Sequence, residues 1–352
     1  MLKAIMSGTV LTLIIVSTAS ADMVLRFAEG SPNRGSRAEA VEHFIEDISK
    51  LSDGKLEVDM HWAGALLDYK TVADGVSSGT ADMGTMLAAY NPQKLKALTI
   101  GDVPLGASDP WVGTRAMFEL MTTNEALQEL LARQDLVYIT GYSSTGVQFE
   151  CGGGKSIRTL ADIKGKRIRA IANYAKVLDD LGASLVNVTA GDFYLALDTG
   201  LVDCSASYLY TMRALKTFEV IDNVTLVDWG QINGFATMMN LYTWDDLSKE
   251  EQAIIRHAGS NSIDYASKLQ IEEMVEVLEG LRTGSIGKKI PVYEMAPEER
   301  AKLEKAAEKY AHSWIDNINK DGLDGEKIWD EYQALLSKYE NERDTLGYPW
   351  ER

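Results

Sequence analysis

The sequence predicts a two-lobed α/β protein in which each lobe is a mixed, mostly parallel sheet flanked by helices and one long helix spans both. Three observations carry that prediction. Short apolar strands alternate with amphipathic helices in β-α-β-α-β order over residues 24–86. The same kind of alternation restarts near residue 136, and a helical pattern of more than thirty residues opens at Ser248. Strands separated by covering helices with short connections make a parallel sheet, and a restart of the pattern makes a second one.

Val24 to Ala28 reads as a strand that stops at Gly30-Ser31-Pro32-Asn33. Ala38, Val41, Phe44, Ile45, Ile48 and Leu51 then recur at three- and four-residue spacing, the mark of an amphipathic helix, which Ser52-Asp53-Gly54 ends. Leu56 to Met60 alternates as a strand, followed by a loop at Gly64, a helix over 68–78 and a strand over 82–86. In the second lobe, strands are predicted at 136–142, 166–169 and 201–204, with helices at 173–181 and 191–199. Trp229 to Tyr242 reads as an extended return toward the first lobe. Ser248 with Glu251 three residues on forms a capping box, and the helix it opens runs to Arg282 before Gly284; a break at Gly259-Ser260-Asn261 is the alternative. Leu303, Ala307, Tyr310, Trp314 and Ile318 mark another helix, and Trp329, Leu335 and Leu336 a last one. The division expected is 22–146 plus 232–272 for lobe I, 147–231 plus 273–330 for lobe II, and 331–352 for a C-terminal helix and tail.

Residues 1–21 read as a cleaved signal peptide: Lys3 is basic, 5–16 are largely apolar, and Ala19-Ser20-Ala21 supplies the small-residue cleavage pattern. The apolar run is shorter than the ~18–20 residues that cross a bilayer, an uncleaved anchor being the competing reading. No cysteine follows the cleavage site, so no lipid anchor is expected, and the mature chain is placed in a periplasm. A net charge of −17 argues against nucleic acid, whose phosphates need a basic surface. It leaves room for an anionic ligand, because a local cation overrides the global field inside a cleft. The two cysteines, Cys151 and Cys204, permit one disulfide in an oxidising compartment, with two buried free thiols as the alternative.

Enzyme motifs fail. Gly154-Lys155-Ser156 imitates the end of a phosphate-binding loop, but the glycine needed five residues earlier is Phe149. There is no G-x-S-x-G elbow and no G-x-G-x-x-G after a strand. His43, His61, His257 and His312 are scattered without metal-ligand spacing. No cofactor, metal or catalysis is expected. Binding is better supported. Arg169 ends a predicted strand, and the carboxyl edge of parallel strands is where open α/β sheets take ligands. A planar guanidinium grips a carboxylate with two parallel hydrogen bonds, which lysine cannot copy. Arg167 is expected to turn to the opposite face; pairing of Arg169 with Asp162 or a helix end is the structural alternative.

The stretches 160–169 (Leu-Ala-Asp-Ile-Lys-Gly-Lys-Arg-Ile-Arg) and 194–203 (Tyr-Leu-Ala-Leu-Asp-Thr-Gly-Leu-Val-Asp) resemble the extracytoplasmic solute-binding proteins of TRAP transporters, the DctP-like group. Weaker likeness extends to 24–33, to Asp82 through Asn91-Pro92, and to Asn233 with Leu247-Ser248. The resemblance implies a periplasmic binding protein fold and a carboxylate clamp at Arg169. It also implies a polar contact at Asn233, a first-lobe rim of Asp68, Leu87 and Tyr90, and partnership with a small DctQ-like and a large DctM-like membrane subunit driven by a sodium gradient. Two departures stand out. Relatives that bind sialic acid carry a second arginine about twenty residues before the clamp, where this chain has Phe149. Many relatives have an asparagine shortly after the Val-Asp of the second strand, where this chain has Ser207 flanked by Tyr208 and Tyr210. One cation fewer and more aromatic surface point to a monocarboxylate with an aromatic, apolar or ammonium-bearing remainder, packed by Phe149, Trp229, Phe235, Tyr90 and Tyr208. A monomer is expected. A sensor that hands its ligand to a membrane receptor, and a periplasmic enzyme on a similar scaffold, are the rival readings.

Overall fold

Strand β1 (Met23–Ala28) buries Leu25 and Phe27 and exposes Val24 and Arg26, an alternation fixed by the two-residue strand period. The computed structural model describes residues 23–105, 108–189 and 191–352, so the expected signal peptide at 1–21 lies outside the described residues. Helix α1 (Ser36–Leu51) follows, then β2 (Leu56–His61), α2 (Val72–Ser77) and β3 (Met83–Leu87). Val41, Phe44 and Ile48 of α1 are fully buried, each stabilising by about 1.5–3 kcal/mol on leaving water. Helices α3 (Pro110–Thr123) and α4 (Glu125–Ala132) precede β4 (Leu136–Tyr142). Both are absent from the sequence reading: α3 is buried over most of its surface and shows little apolar period, and α4 is only eight residues long. Their starts are fixed by Asp109 and Asn124, whose side chains accept from the amides of Val112 (2.9 Å) and Leu127 (3.1 Å).

The chain then crosses to a second sheet. Its elements are β5 (Gln148–Cys151), β6 (Arg167–Arg169), α5 (Ala172–Asp180), β7 (Ser184–Leu185), α6 (Phe193–Asp198), β8 (Cys204–Ser207), α7 (Met212–Leu215) and β9 (Asn223–Leu226). Residues 227–234 return it to β10 (Phe235–Asn240) and α8 (Leu241–Asp246). Helix α9 (Lys249–Thr283), β11 (Val292–Glu294), α10 (Pro297–Asn319) and α11 (Gly325–Leu346) complete the chain. The first sheet has the order β2-β1-β3-β10-β4 and the second β11-β9-β5-β8-β6-β7. Each contains one reversed strand, β10 and β5, antiparallel to both neighbours, while the other pairings are parallel. In both sheets the reversed strand is the first one laid down after a crossing. The strand predicted at 201–204 lies at 204–207 instead, because Leu201 is half exposed in the turn that ends α6. Cys151 and Cys204 face each other in register on β5 and β8 and form a disulfide.

Helix α9 runs unbroken for 35 residues between the Ser248–Glu251 capping box and Gly284. At Gly259 there is no break: a Cβ there would lie 3.0 Å from the Ile139 carbonyl, so glycine lets the helix rest directly on β4, where Thr140 Oγ1 donates to the Gly259 carbonyl at 2.7 Å. Ile255, Ala258 and Ala266 of α9 pack with α1 and the first sheet, whereas Val277 and Leu281 pack with the second sheet's outer cluster. Helix α10 spans both lobes in the opposite sense: Leu303 and Ala307 join the second lobe's core, and Ala311, Trp314 and Ile318 the first's. A lobe II boundary at 273–330 therefore needs correcting. The apolar face of α10 changes partner near residue 309, and Ile328, Tyr332, Leu335 and Leu336 of α11 also pack on the first lobe.

Candidate functional site

A cleft of about 710 Å³ opens between the two sheets where β1, β3, β6 and β8 end. Parallel strands end on one edge, and the loops beyond that edge are free to carry chemistry. Arg34, Arg37, Lys70, Arg169 and Lys216 line it against Asp68, Glu219 and Glu273, an excess of two cations inside a chain of net charge −17. The site is thus locally suited to an anion.

Arg169, the last residue of β6, lines this cleft with 4% of its surface exposed. Its Nε donates to the Val188 carbonyl at 3.4 Å, and its guanidinium lies 5.2 Å from the centre of the Phe193 ring. Among the described residues it makes no ion pair, and Asp162 is occupied instead with the Arg158 and Thr159 amides. Arg167 stays off the cleft, though not by facing the other way, since residues two apart share a strand face. It sits at the exposed start of β6 and pairs with Asp203 at 2.6 Å. The strand register sets Glu150 of β5, Ser205 of β8 and Arg169 of β6 in one row. Burial pushes the Glu150 carboxyl up to about 8, against the pull of the Arg169 charge and the Thr217 and Ser207 hydroxyls. The raised value favours the neutral form of Glu150, which leaves no anion in ion-pair contact with Arg169 among the described residues.

The opposite wall carries a second guanidinium that the sequence reading missed. Arg37 lies in the first turn of α1, just after Gly35, whose φ of 77° turns the chain into the helix. Its Nη2 donates to the Tyr210 hydroxyl at 2.8 Å, and its guanidinium sits 4.5 Å from the centre of the Phe235 ring. Two tyrosine pairs line the cleft, one from each lobe. Tyr69 and Tyr90 are stacked at 6.0 Å, and Tyr208 and Tyr210 at 5.3 Å. Tyr69 is fixed by its hydroxyl, which donates to the buried carboxylate of Glu29 and contacts Ser31.

Of the sequence-predicted residues, Arg169, Ser207, Tyr208, Tyr90, Asp68 and Leu87 come together on the cleft. Asp68 sits at its rim holding a turn: Oδ1 accepts from the Lys70 and Thr71 amides and the Thr71 hydroxyl, which hold its carboxyl below the ordinary range. Phe235 lies behind the wall, under Arg37. The remaining three lie elsewhere. Phe149 points to the face of the second sheet that carries the disulfide, inside the lobe core, because Glu150 takes the other face. Trp229 packs against Tyr174 at 4.9 Å in the same core. Asn233 is fully buried and donates to the Gly113 carbonyl (2.7 Å) and Tyr332 hydroxyl (3.1 Å), tying the returning chain to α3 and α11. Arg37, Tyr69, Tyr210 and Glu150 are the additions. A single arginine in a helix's first turn looks like any solvated residue, so the sequence held no signal for Arg37. Among the described residues no cluster of acidic, histidine or cysteine side chains is able to hold a metal, and no helix is long and apolar enough to cross a membrane.

The sequence model of bacterial extracellular solute-binding protein family 7 (DctP) matches residues 27–317. The ectoine-binding periplasmic protein TeaA of Halomonas elongata is 22% identical over 314 residues, 87% of this chain and 86% of TeaA. A TRAP periplasmic solute-binding protein from Desulfovibrio salexigens superposes with a TM-score of 0.79 at 22% identity, covering 93% of this chain and 99% of the other. A TRAP solute-binding protein from Rhodoferax ferrireducens, solved with copurified benzoate, superposes with a TM-score of 0.78 at 20% identity, covering 91% and 99%.

Proposed function

This chain belongs to the bacterial extracellular solute-binding proteins of family 7, and from that membership we propose that it captures a small organic monocarboxylate with an aromatic or ammonium-bearing remainder and delivers it to a TRAP membrane permease. The family and its structural neighbours are receptors for transport, not enzymes. The observation that carries the reading is Arg169: a buried guanidinium at a strand end, lining an interlobe cleft, with no acidic partner in ion-pair contact among the described residues. Burying a cation without an anion is costly, so a ligand carboxylate is the natural partner. The stacked tyrosines on both walls supply flat apolar faces for a ring and π-faces for a cation. The benzoate held by the Rhodoferax protein and the ectoine bound by TeaA agree with those two kinds of remainder.

In this reading Arg169 clamps the carboxylate, while Tyr90, Tyr208 and Leu87 pack the remainder. The crossings at 143–147 and 227–234 act as the hinge about which the lobes close, and small DctQ-like and large DctM-like subunits receive the loaded form. The test is a thermal-shift screen of the mature protein with benzoate, phenylacetate, mandelate, 2-oxoacids and betaines. A ligand at about 100 times its Kd adds about 2.7 kcal/mol to stability. Arg169→Lys should lose most of that shift with the unliganded melting point nearly unchanged, and an undiminished shift would remove the clamp.

A further inference from the structure

We infer that Arg37 is a second ligand contact, facing Arg169 from the other lobe, so that the ligand is a monocarboxylate bearing a second oxygen group (hydroxyl or oxo) at its far end. This rests on the cleft being an acid-binding site. The missing arginine at Phe149 argued for a single cationic contact; the structure supplies another from a different element. Arg37 and Arg169 line one cleft, and neither makes an ion pair among the described residues. Tyr208 stands where both charges act on its hydroxyl.

The Arg37 guanidinium is satisfied only in part. Phe235 offers it a π-face, and Tyr210 takes the one hydrogen bond it donates among the described residues. Nε is buried without an acceptor. A guanidinium presents five N–H donors in a rigid fork suited to oxygen acceptors, and leaving them buried and unpaired is unfavourable. The nearby carboxylate of Glu29 accepts through Oε1 from Ser31 and Tyr69, and its Oε2 is buried without a partner, so it makes neither a hydrogen bond nor an ion pair with Arg37 among the described residues. An oxygen on the ligand would meet this need. Position makes Arg37 selective: Tyr210, its partner, belongs to the second lobe, so the contact lies where the two walls meet. A volume of about 710 Å³ has room for a ring acid with a substituent.

The experiment is calorimetric titration of the mature protein at pH 7 with matched acids: benzoate against 3- and 4-hydroxybenzoate, and phenylacetate against its 3- and 4-hydroxy forms. The wild type should favour an oxygen-bearing member over its plain parent by about tenfold or more, the size of a charge-assisted hydrogen bond. Arg37→Met should remove that preference by weakening the oxygen-bearing acid about tenfold more than its plain parent. Arg37→Lys, which keeps the charge and loses the fork, should retain part of it, and it serves as the probe if the methionine variant fails to fold. Equal weakening of plain and substituted acids by Arg37→Met or Arg37→Lys would reduce Arg37 to a scaffold and overturn the inference. So would the absence of any preference in the wild type. If plain acids bind the wild type and no Arg37-dependent preference exists, only this inference falls; if no acid in the panel binds at all, the acid-binding reading falls with it.

Discussion

The two walls of the cleft each present one guanidinium, Arg169 buried and Arg37 half-buried, and they fix it by different means. Arg169 ends a strand, so its position is set by the register of β6 against β8 and by a sheet packed on both faces. Arg37 starts a helix, entered through a left-handed glycine, and is steadied by an aromatic face below and a tyrosine hydroxyl from the opposite lobe. One is held by covalent neighbours and ladder hydrogen bonds, the other by side chains that meet when the lobes are together. A strand-mounted group is preorganised in the open and closed forms alike, whereas a group held across the cleft is completed by closure. The second lobe thereby resembles a fixed jaw, and the first a jaw whose grip depends on its partner.

That contrast can be broken most forcefully at the disulfide, which ties β5 to β8 beside the strand that carries Arg169. Replacing Cys151 and Cys204 together by serine reopens a loop with a sequence separation of 53, which in the chain-entropy account costs about 4 kcal/mol of stability. If the sheet itself fixes the clamp, the folded variant should still bind its acid within about twofold of wild type at 25 °C. A large loss of affinity would mean that the jaw is rigid only because it is stapled.

A smaller effect is expected from pH. As pH rises through about 8, Glu150 ionises and its anion competes for the Arg169 charge. Acid binding should weaken by about tenfold between pH 7 and 9, and Glu150→Gln should flatten that profile; an unchanged slope would show that Glu150 does not reach Arg169. The same raised pKa sets the sign for stability. Folded Glu150 titrates near 8 and the unfolded chain near 4.5, so its stabilising share is complete below about pH 4.5 and is lost as pH climbs to about 8. Asp102, pushed to about 7 by burial, acts in the same direction.

The smallest expected effect separates the walls by shape. Tyr208→Leu should lower affinity for an aromatic acid by about threefold to tenfold, the value of a lost ring–ring contact, and leave pyruvate binding nearly unchanged. Equal losses for both ligands would mean that Tyr208 supports the wall without touching the ring.

How much of this was legible beforehand follows from the same contrast. Periodicity gave β1 through β3, whose apolar residues repeat at the right period, whereas the long helix was bounded by its capping box and Gly284, and the strand ending at Arg169, with Ile168 its one apolar residue, stood out through the family resemblance. It passed over β5, whose four residues alternate apolar Phe149 and Cys151 with Gln148 and Glu150, yet all are buried. A buried polar row defeats the usual rule that polar means outside. Phe149 and Trp229 were expected at the ligand and lie in the core instead, because an aromatic residue in a short strand carries no mark of which face it takes. Asn233 illustrates the same limit, being spent on the Gly113 carbonyl and the Tyr332 hydroxyl. Pairings across the cleft, such as Arg37 with Tyr210, join residues 173 positions apart and leave no local trace.

Over its described residues the chain passes between its two halves four times: through 143–147, through 227–234, along α9 and back along α10. No single nick in the polypeptide would release one half from the other, and no contiguous fragment makes up one lobe without carrying part of the other. Each half is finished by residues supplied from far along the sequence, which ties the two into one cooperative melting unit despite the cleft that divides them.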